Sequence, residues 1–226
     1  MVLEGHYREL GNAAEAIFHA NRLDWEAGVD QWEEVFDEAL RLSRYGECES
    51  LLAVRGELWI KSDFWLGKIS ISEGNYYAQL ARYAEVKQEY LEAVAAYDRE
   101  FILTPDSKAT LNNKGIALGA LGDLQVQLSE FEAAKLSYSE ALAALNSALL
   151  IAPDYIAALN NKGTALQSLG HLQAWLSEFE AAKLSYSEAL AALNSALRIA
   201  PYDLAALGSK GMTLQSLGHL QAWLSE

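Results

Sequence analysis

The chain has 226 residues, 51% of them hydrophobic and only three of them prolines, which excludes a disordered composition and leaves room for one or two ordinary domains. Its formal net charge of −14 lies mostly in residues 1–110, where 21 acids stand against 11 bases, and this argues against nucleic acid as a partner. One cysteine excludes an intramolecular disulfide, and neither a signal-peptide layout nor an apolar run near the ~18 residues of a membrane helix is present, so a soluble, cytoplasmic chain without membrane contact is expected.

Taken in order, Leu3, Tyr7, Leu10, Ala14, Ile17 and Phe18 recur at helical spacing and predict an amphipathic helix over about 3–22. Asp24 is placed to cap a second helix with Trp32, Val35, Phe36, Ala39 and Leu40 on its apolar side, and Gly46 is its expected end. A third run, from Glu47 to about Ile60, carries Leu51, Leu52, Val54 and Leu58; the first two helices are expected to pair. The acid-rich stretch Asp24 to Glu49 reads as a solvated face, and Cys48 between Glu47 and Glu49 reads as a poorly reactive thiol.

From residue 63 onward the chain repeats itself. Gly67, Gly115, Gly163 and Gly211 are 48 residues apart, as are Gly74, Gly122, Gly170 and Gly218, and Pro105, Pro153 and Pro201. The run Leu128 to Leu149 returns unchanged as Leu176 to Leu197. Such a period signals a stacked array. The expected organisation is an N-terminal helical region over 1–62 (a degenerate repeat being one reading), a degenerate repeat over 63–110, repeats over 111–158 and 159–206, and a half repeat of one helix over 207–226.

Within a unit, Phe179, Ala182, Tyr186, Ala189, Leu193, Ala196 and Ala200 form one narrow apolar seam. Ser177 followed by Glu180 predicts a capping box at the start of that helix, and Pro201 its stop. The preceding helix carries Leu159, Gly163, Leu166, Leu169, Leu172 and Leu176, with Gly163 admitting its partner closely. Gly170 is either the inter-helix turn or a residue inside a long first helix, and the capping box favours the second. Each unit is then two antiparallel helices of about 18 to 22 residues, ~27 to 33 Å long.

The pattern Leu159-x-x-x-Gly163-x-Ala165-Leu166-x-x-x-Gly170, followed by Ala189-x-x-x-Leu193-x-x-Ala196-x-x-x-x-Pro201, resembles the tetratricopeptide repeat family over residues 63–226, with an echo at Tyr7-x-x-Leu10-Gly11-Asn12-Ala13. The family's usual unit is shorter by 14 residues, two heptads, so both helices would be elongated without loss of phase. The resemblance implies an all-α, right-handed α-solenoid of antiparallel helix pairs. It also implies a concave groove, lined by first helices, that holds a protein or peptide partner. On the family's offsets that groove would present Asn112, Asn113, Ile116, Asn160, Asn161, Thr164, Gln167, Ser209 and Met212. Asn113 and Asn161 match positions where some members hydrogen-bond a peptide backbone, since an amide both donates and accepts. A purely structural role for the asparagines at the helix entrance stands beside this reading.

No phosphate loop, nucleophile elbow or Cys-x-x-Cys occurs, so no enzyme, cofactor or metal site is expected. His171 and His219 are the same repeat position one unit apart, which rules out a shared metal site and reads as exposed polarity. The function expected is a non-enzymatic interaction scaffold, the alternative being a regulatory or sensor arm of a larger signalling enzyme such as an ATPase. Ser216 to Glu226 copies Ser168 to Glu178 letter for letter, so the last helix is not resurfaced as a cap. Leu214, Leu217, Leu220 and Trp223 are expected to form an apolar seam there, either pairing with another copy as a homo-oligomer or continuing into a longer array.

If stability is a sum of unit and interface terms, deleting the 48 residues Leu111 to Ala158 leaves a folded helical protein, whereas deleting 24 exposes a helix seam and does not. Circular dichroism of the two deletion variants decides this; equal loss of helix in both would contradict an array.

Overall fold

The computed structural model describes residues 12–224, which form ten α-helices and, among the described residues, no strand. They are α1 (Ala13–Leu23), α2 (Trp25–Arg41), α3 (Tyr45–Arg55), α4 (Asp63–Gln79), α5 (Tyr83–Leu103), α6 (Lys108–Gln127), α7 (Phe131–Ile151), α8 (Ile156–Trp175), α9 (Phe179–Ile199) and α10 (Leu204–Leu224). The fold is all-α, an α-solenoid of antiparallel helix pairs. The chain divides into two compact units, Met1–Glu100 and Phe101–Glu226.

In the first unit α1 starts at Asn12, whose side chain accepts from the Glu15 amide; Leu3, Tyr7 and Leu10, and most of the repeat echo, lie outside the described residues. Asp24 caps α2 by accepting from the Glu26 and Ala27 amides. Trp32 and Phe36 stack at 4.5 Å in a core shared with Ile17, Leu51 and Tyr76, and the Trp32 indole donates to the Leu51 carbonyl at 2.9 Å. The connection between α3 and α4 is held from within. Buried Asn21 donates to the Trp25 and Trp59 carbonyls and accepts the Trp59 amide at 2.7 Å, so one amide side chain satisfies three backbone groups.

In the second unit the core is serial. Leu111, Leu145, Ala148 and Ala158 form one cluster, and Leu159, Leu193, Ala196 and Ala206, the same positions 48 residues on, form the next. Towards the hairpin ends Ala134, Tyr138 and Leu172 are likewise followed by Ala182, Tyr186 and Leu220. Each cluster joins a helix pair to the following helix, as an array requires.

The turn inside each pair has a chemistry that the capping-box expectation misses. α8 ends with Ser177 at φ 64°, its amide donating to Ala174 O and the Glu178 amide to Gln173 O. This is a Schellman closure, which satisfies the last carbonyls of the helix with one left-handed residue. Committed to that conformation, Ser177 does not cap α9; Glu178 is the cap residue and makes no side-chain capping bond. Ser129, Ala81 and Ser43 close α6, α4 and α2 in the same way. The end of α2 is therefore at Ser43, and Gly46, expected to end it, lies inside α3. At about 1 kcal/mol for a non-glycine residue in this region, each turn trades strain for an exact three-residue connection.

Gly170 sits inside α8, and in α4, α6 and α8 two glycines seven residues apart are packing notches. A Cβ on Gly163 would come 2.6 Å from Leu193 Cγ and one on Gly170 2.7 Å from Tyr186 Cε1. Gly115 meets Leu145 and Gly122 meets Tyr138 equally closely; in the first unit Gly67 meets Tyr97 and Gly74 meets Tyr90. α10 carries the same two notches, Gly211 and Gly218, with nothing within 4 Å.

Gly170 and Gly218 lie in the same local sequence, so one substitution separates packing from propensity. Gly170→Ala should destabilise by about 1–3 kcal/mol through overpacking against Tyr186. Gly218→Ala should stabilise by up to ~1 kcal/mol through helix propensity. Urea unfolding of the two variants tests this; equal signs would refute the notch.

Candidate functional site

Consecutive first helices in the second unit leave a groove between them, built in two adjoining parts. One part, 200 Å3, lies between α6 and α8 and is lined by Gly115, Ile116, Gly119, Asn161, Thr164 and Ser168 among others. The other, 510 Å3, shares Asp123, Tyr138 and Ser168 with it and continues to Gln127, His171 and Trp175. A cavity of 500 Å3 repeats this arrangement one unit on, with His219 and Trp223 at the positions of His171 and Trp175. Small residues on the first helices (Gly119, Ala120, Ser168) make the groove, because nothing larger fills the space between neighbouring helices.

The tyrosine that fills the second notch also reaches this groove. Tyr138 donates its hydroxyl to Asp123 Oδ1 at 2.6 Å, and Tyr90 in the first unit donates to Asn75 Oδ1 at 2.8 Å. Burial, then the neighbouring Asp123 charge, hold the Tyr138 hydroxyl protonated by raising its pKa well above the usual range. One unit on, His171 stands at the position of Asp123 and packs edge-on to Tyr186 with ring centroids 5.6 Å apart. Its Nε2 is 2.8 Å from Ser216 Oγ, and burial lowers its pKa against the opposing pull of Asp123. His171 is thus a neutral, engaged ring and not a free surface residue. Trp175 leans on Phe131, and Trp223 on Phe179, each at 4.5 Å, leaving both indoles largely exposed.

The predicted ligand-facing residues divide. Ile116, Asn161 and Thr164 meet in the smaller cavity. Asn112 and Gln167 are 4% and 6% exposed, so neither is open to a ligand. Asn112 is covered by the next first helix, from which Asn161 donates to it, and Gln167 stands at the repeat position of Gly119, which lines the smaller cavity one unit earlier. The asparagines bond to one another: Asn161 donates to Asn112 Oδ1 at 2.9 Å, and Asn112 donates to Asn113 Oδ1 at 3.2 Å. Asn160 donates to Asp203, which itself caps α10 through the Ala206 amide, a structural bond. Asn160, Gln167, Ser209 and Met212 do not line that cavity.

The expected apolar seam of α10 is also divided. Leu220 is buried against Ala182 and Tyr186, and Leu217 packs on the same cluster, because this side of α10 covers α9. Leu214 and Trp223 are exposed. Asp123, Tyr138, Ser168, His171 and Trp175 were not singled out as site residues, although residue 123/171 is a point where otherwise matching repeats change chemistry. Cys48 is buried, and burial followed by the Glu47 charge raises its pKa. Among the described residues no group of His, Cys, Asp or Glu is arranged to hold a metal, and no helix is long and apolar enough to cross a membrane.

The first unit holds a second polar cluster. Arg55 of α3 places Nε 2.9 Å from Glu73 Oε1 of α4, beside Glu89 of α5, on a groove of 850 Å3 that also contacts Tyr77 and Glu92. Burial lifts the Glu73 carboxyl to about 7 and raises that of Glu89, while Arg55 pulls both down. Burial, with the neighbouring Glu89 charge, thus favours the protonated form of Glu73 against the pull of Arg55.

No family model and no curated protein matches the chain. Among solved structures, BtubC (BKLC) from P. vanneervenii is similar with a TM-score of 0.63 and 16% identity, over 100% of this chain and 93% of its own. That likeness is one of fold. The first TPR of Spaghetti (RPAP3), bound to the HSP90 peptide SRMEEVD, matches with a TM-score of 0.34 and 18% identity over 71% of this chain and 99% of its own, too loosely to support an argument.

A carboxyl whose pKa is raised on folding stabilises the fold fully below its unfolded value and progressively less as pH climbs through the folded value. Glu73 should therefore contribute a fall in melting temperature between pH ~5 and ~8. Glu73→Gln, which keeps the neutral form's shape, should flatten that part of the profile; parallel profiles for the two proteins would refute the raised Glu73 pKa.

Proposed function

We propose that the chain is a protein-interaction module that takes a peptide or helix of a partner along the groove between α6, α8 and α10. The observation that carries this reading is the continuity of the two cavities on α6 and α8. They give one strip with apolar Ile116 at one end, amide and hydroxyl groups of Asn161, Thr164 and Ser168 along it, and the exposed Trp175 indole at the other. Strips of this kind suit an extended backbone, since polar groups fix register and an aromatic anchor contributes most of the affinity. Asn113 is linked to the strip through Asn112, which in turn accepts from Asn161.

The change from Asp123 to His171 along the strip gives two neighbouring positions different electrostatic character. The Asp123 end favours a cationic or donor group, and the neutral His171 end an apolar or weakly polar one. A ligand read in this way lies with a defined polarity.

Capture from a cell lysate with the intact chain, followed by mass spectrometry, supplies the partner. Ile116→Arg combined with Thr164→Arg alters two exposed side chains and should leave melting within ~0.5 kcal/mol of the wild type. The same pair should weaken capture at least ~10-fold, the loss of one well-placed contact. Identical capture by wild type and double variant would overturn the groove as the binding site.

A further inference from the structure

We propose that the cavity holding Asp123 and Trp175 is a pocket for one arginine side chain of the partner peptide, which sets the register of that peptide in the groove. This rests on the groove reading above and adds the chemical identity of a residue that the groove selects.

Residues 75, 123 and 171 are one repeat position, the residue after the second notch glycine, and they carry Asn, Asp and His. Each is met by the tyrosine of the facing helix. Tyr90 donates to Asn75 Oδ1 at 2.8 Å, Tyr138 donates to Asp123 Oδ1 at 2.6 Å, and Tyr186 packs on the His171 ring. A neutral amide or an imidazole thus occupies this place in the other units, and the hairpin does not call for a charge. Asp123 nevertheless carries one. It is exposed, and its Oδ2 has no partner among the described residues. No described lysine or arginine lines this cavity or the smaller one that adjoins it, so the carboxylate is not neutralised within the groove.

The other walls say which cation fits. Val126 and Leu172 offer apolar surface, and Trp175 leans on Phe131 yet stays 67% exposed. An arginine stem can lie along the first two. Its planar guanidinium can stack on an indole while donating in its own plane to a carboxylate, a pair of contacts that the compact ammonium of lysine does not reproduce. The cavity of 510 Å3 is on the scale that encloses a small ligand group. One unit on, the cavity of 500 Å3 has Trp223 at the place of Trp175 but no carboxylate on its walls. The cation is therefore selected at a single point of the groove, which is what fixing a register needs.

The probe is N-acetyl-arginine amide, titrated at constant ionic strength into the isotope-labelled intact chain. The readout is the indole Nε1–H resonance of Trp175 by NMR, assigned through its loss in Trp175→Phe. A saturable shift with a dissociation constant of about 1–10 mM is expected, the weak affinity of one isolated side chain. N-acetyl-lysine amide should bind less tightly. The neutral isostere N-acetyl-citrulline amide, and Asp123→Asn in the chain, should each weaken binding ~10-fold or more. The Asn variant keeps the acceptor for Tyr138, as Asn75 does for Tyr90, so its melting should be unchanged. No saturable shift up to ~100 mM, an equal response to citrulline, or binding that survives Asp123→Asn would overturn the proposal. Those results leave the groove reading standing, because capture by the Ile116→Arg and Thr164→Arg variant tests it separately. Identical capture by that variant, with arginine amide still bound, would sink the groove and with it a peptide as the source of the arginine.

Discussion

The structure depends on one contact: a tyrosine ring or a leucine lying directly on a glycine of the facing helix. A glycine in a helix interior costs about 1 kcal/mol in propensity, and full burial of a large apolar side chain returns about 1.5–3 kcal/mol. Two notches per first helix are thus favourable only when a second helix occupies them. That condition makes the hairpin, and not the single helix, the cooperative element. It also fixes register, since a shift by one turn would set tyrosine against a side chain instead of a glycine.

From this contact the groove follows. A tyrosine seated on Gly122 has its hydroxyl carried past the helix axis to Asp123, so packing and groove chemistry share one residue. Changing the residue after the glycine, from Asp123 to His171, alters what the groove displays while the notch stays constant. Invariant second helices and variable first helices are the expected result, with specificity written on the side that does not hold the hairpin together.

Much of this was legible in the sequence, for physical reasons. The 48-residue period, the seams and the glycine at 163 are periodic signals that local noise does not erase. Two things were not legible. Ser177-x-x-Glu180 is a valid capping box on paper, but the three-residue connection requires a left-handed residue at 177, and backbone closure overrides the side chain. The recurring Leu-Ser-Glu, Leu-Ala-Arg and Leu-Ser-Arg triplets carried that signal at 128–130, 176–178, 80–82 and 42–44. Family offsets placed Asn112 and Gln167 in the groove, yet both are buried, Asn112 against Asn161 of the next first helix. Burial by a neighbouring helix of the array is a tertiary effect that the pattern of one helix does not carry.

The serial core has a consequence for inheritance. α7 and α9 lie in a run of 22 identical residues, Leu128 to Leu149 and Leu176 to Leu197, and the clusters they build share four core positions one period apart. Misaligned recombination between two such tracts adds or removes a whole period wherever within the tract the crossover falls. Every product joins surfaces that already fit. Length in this protein is a trait that can change in one step and be selected afterwards.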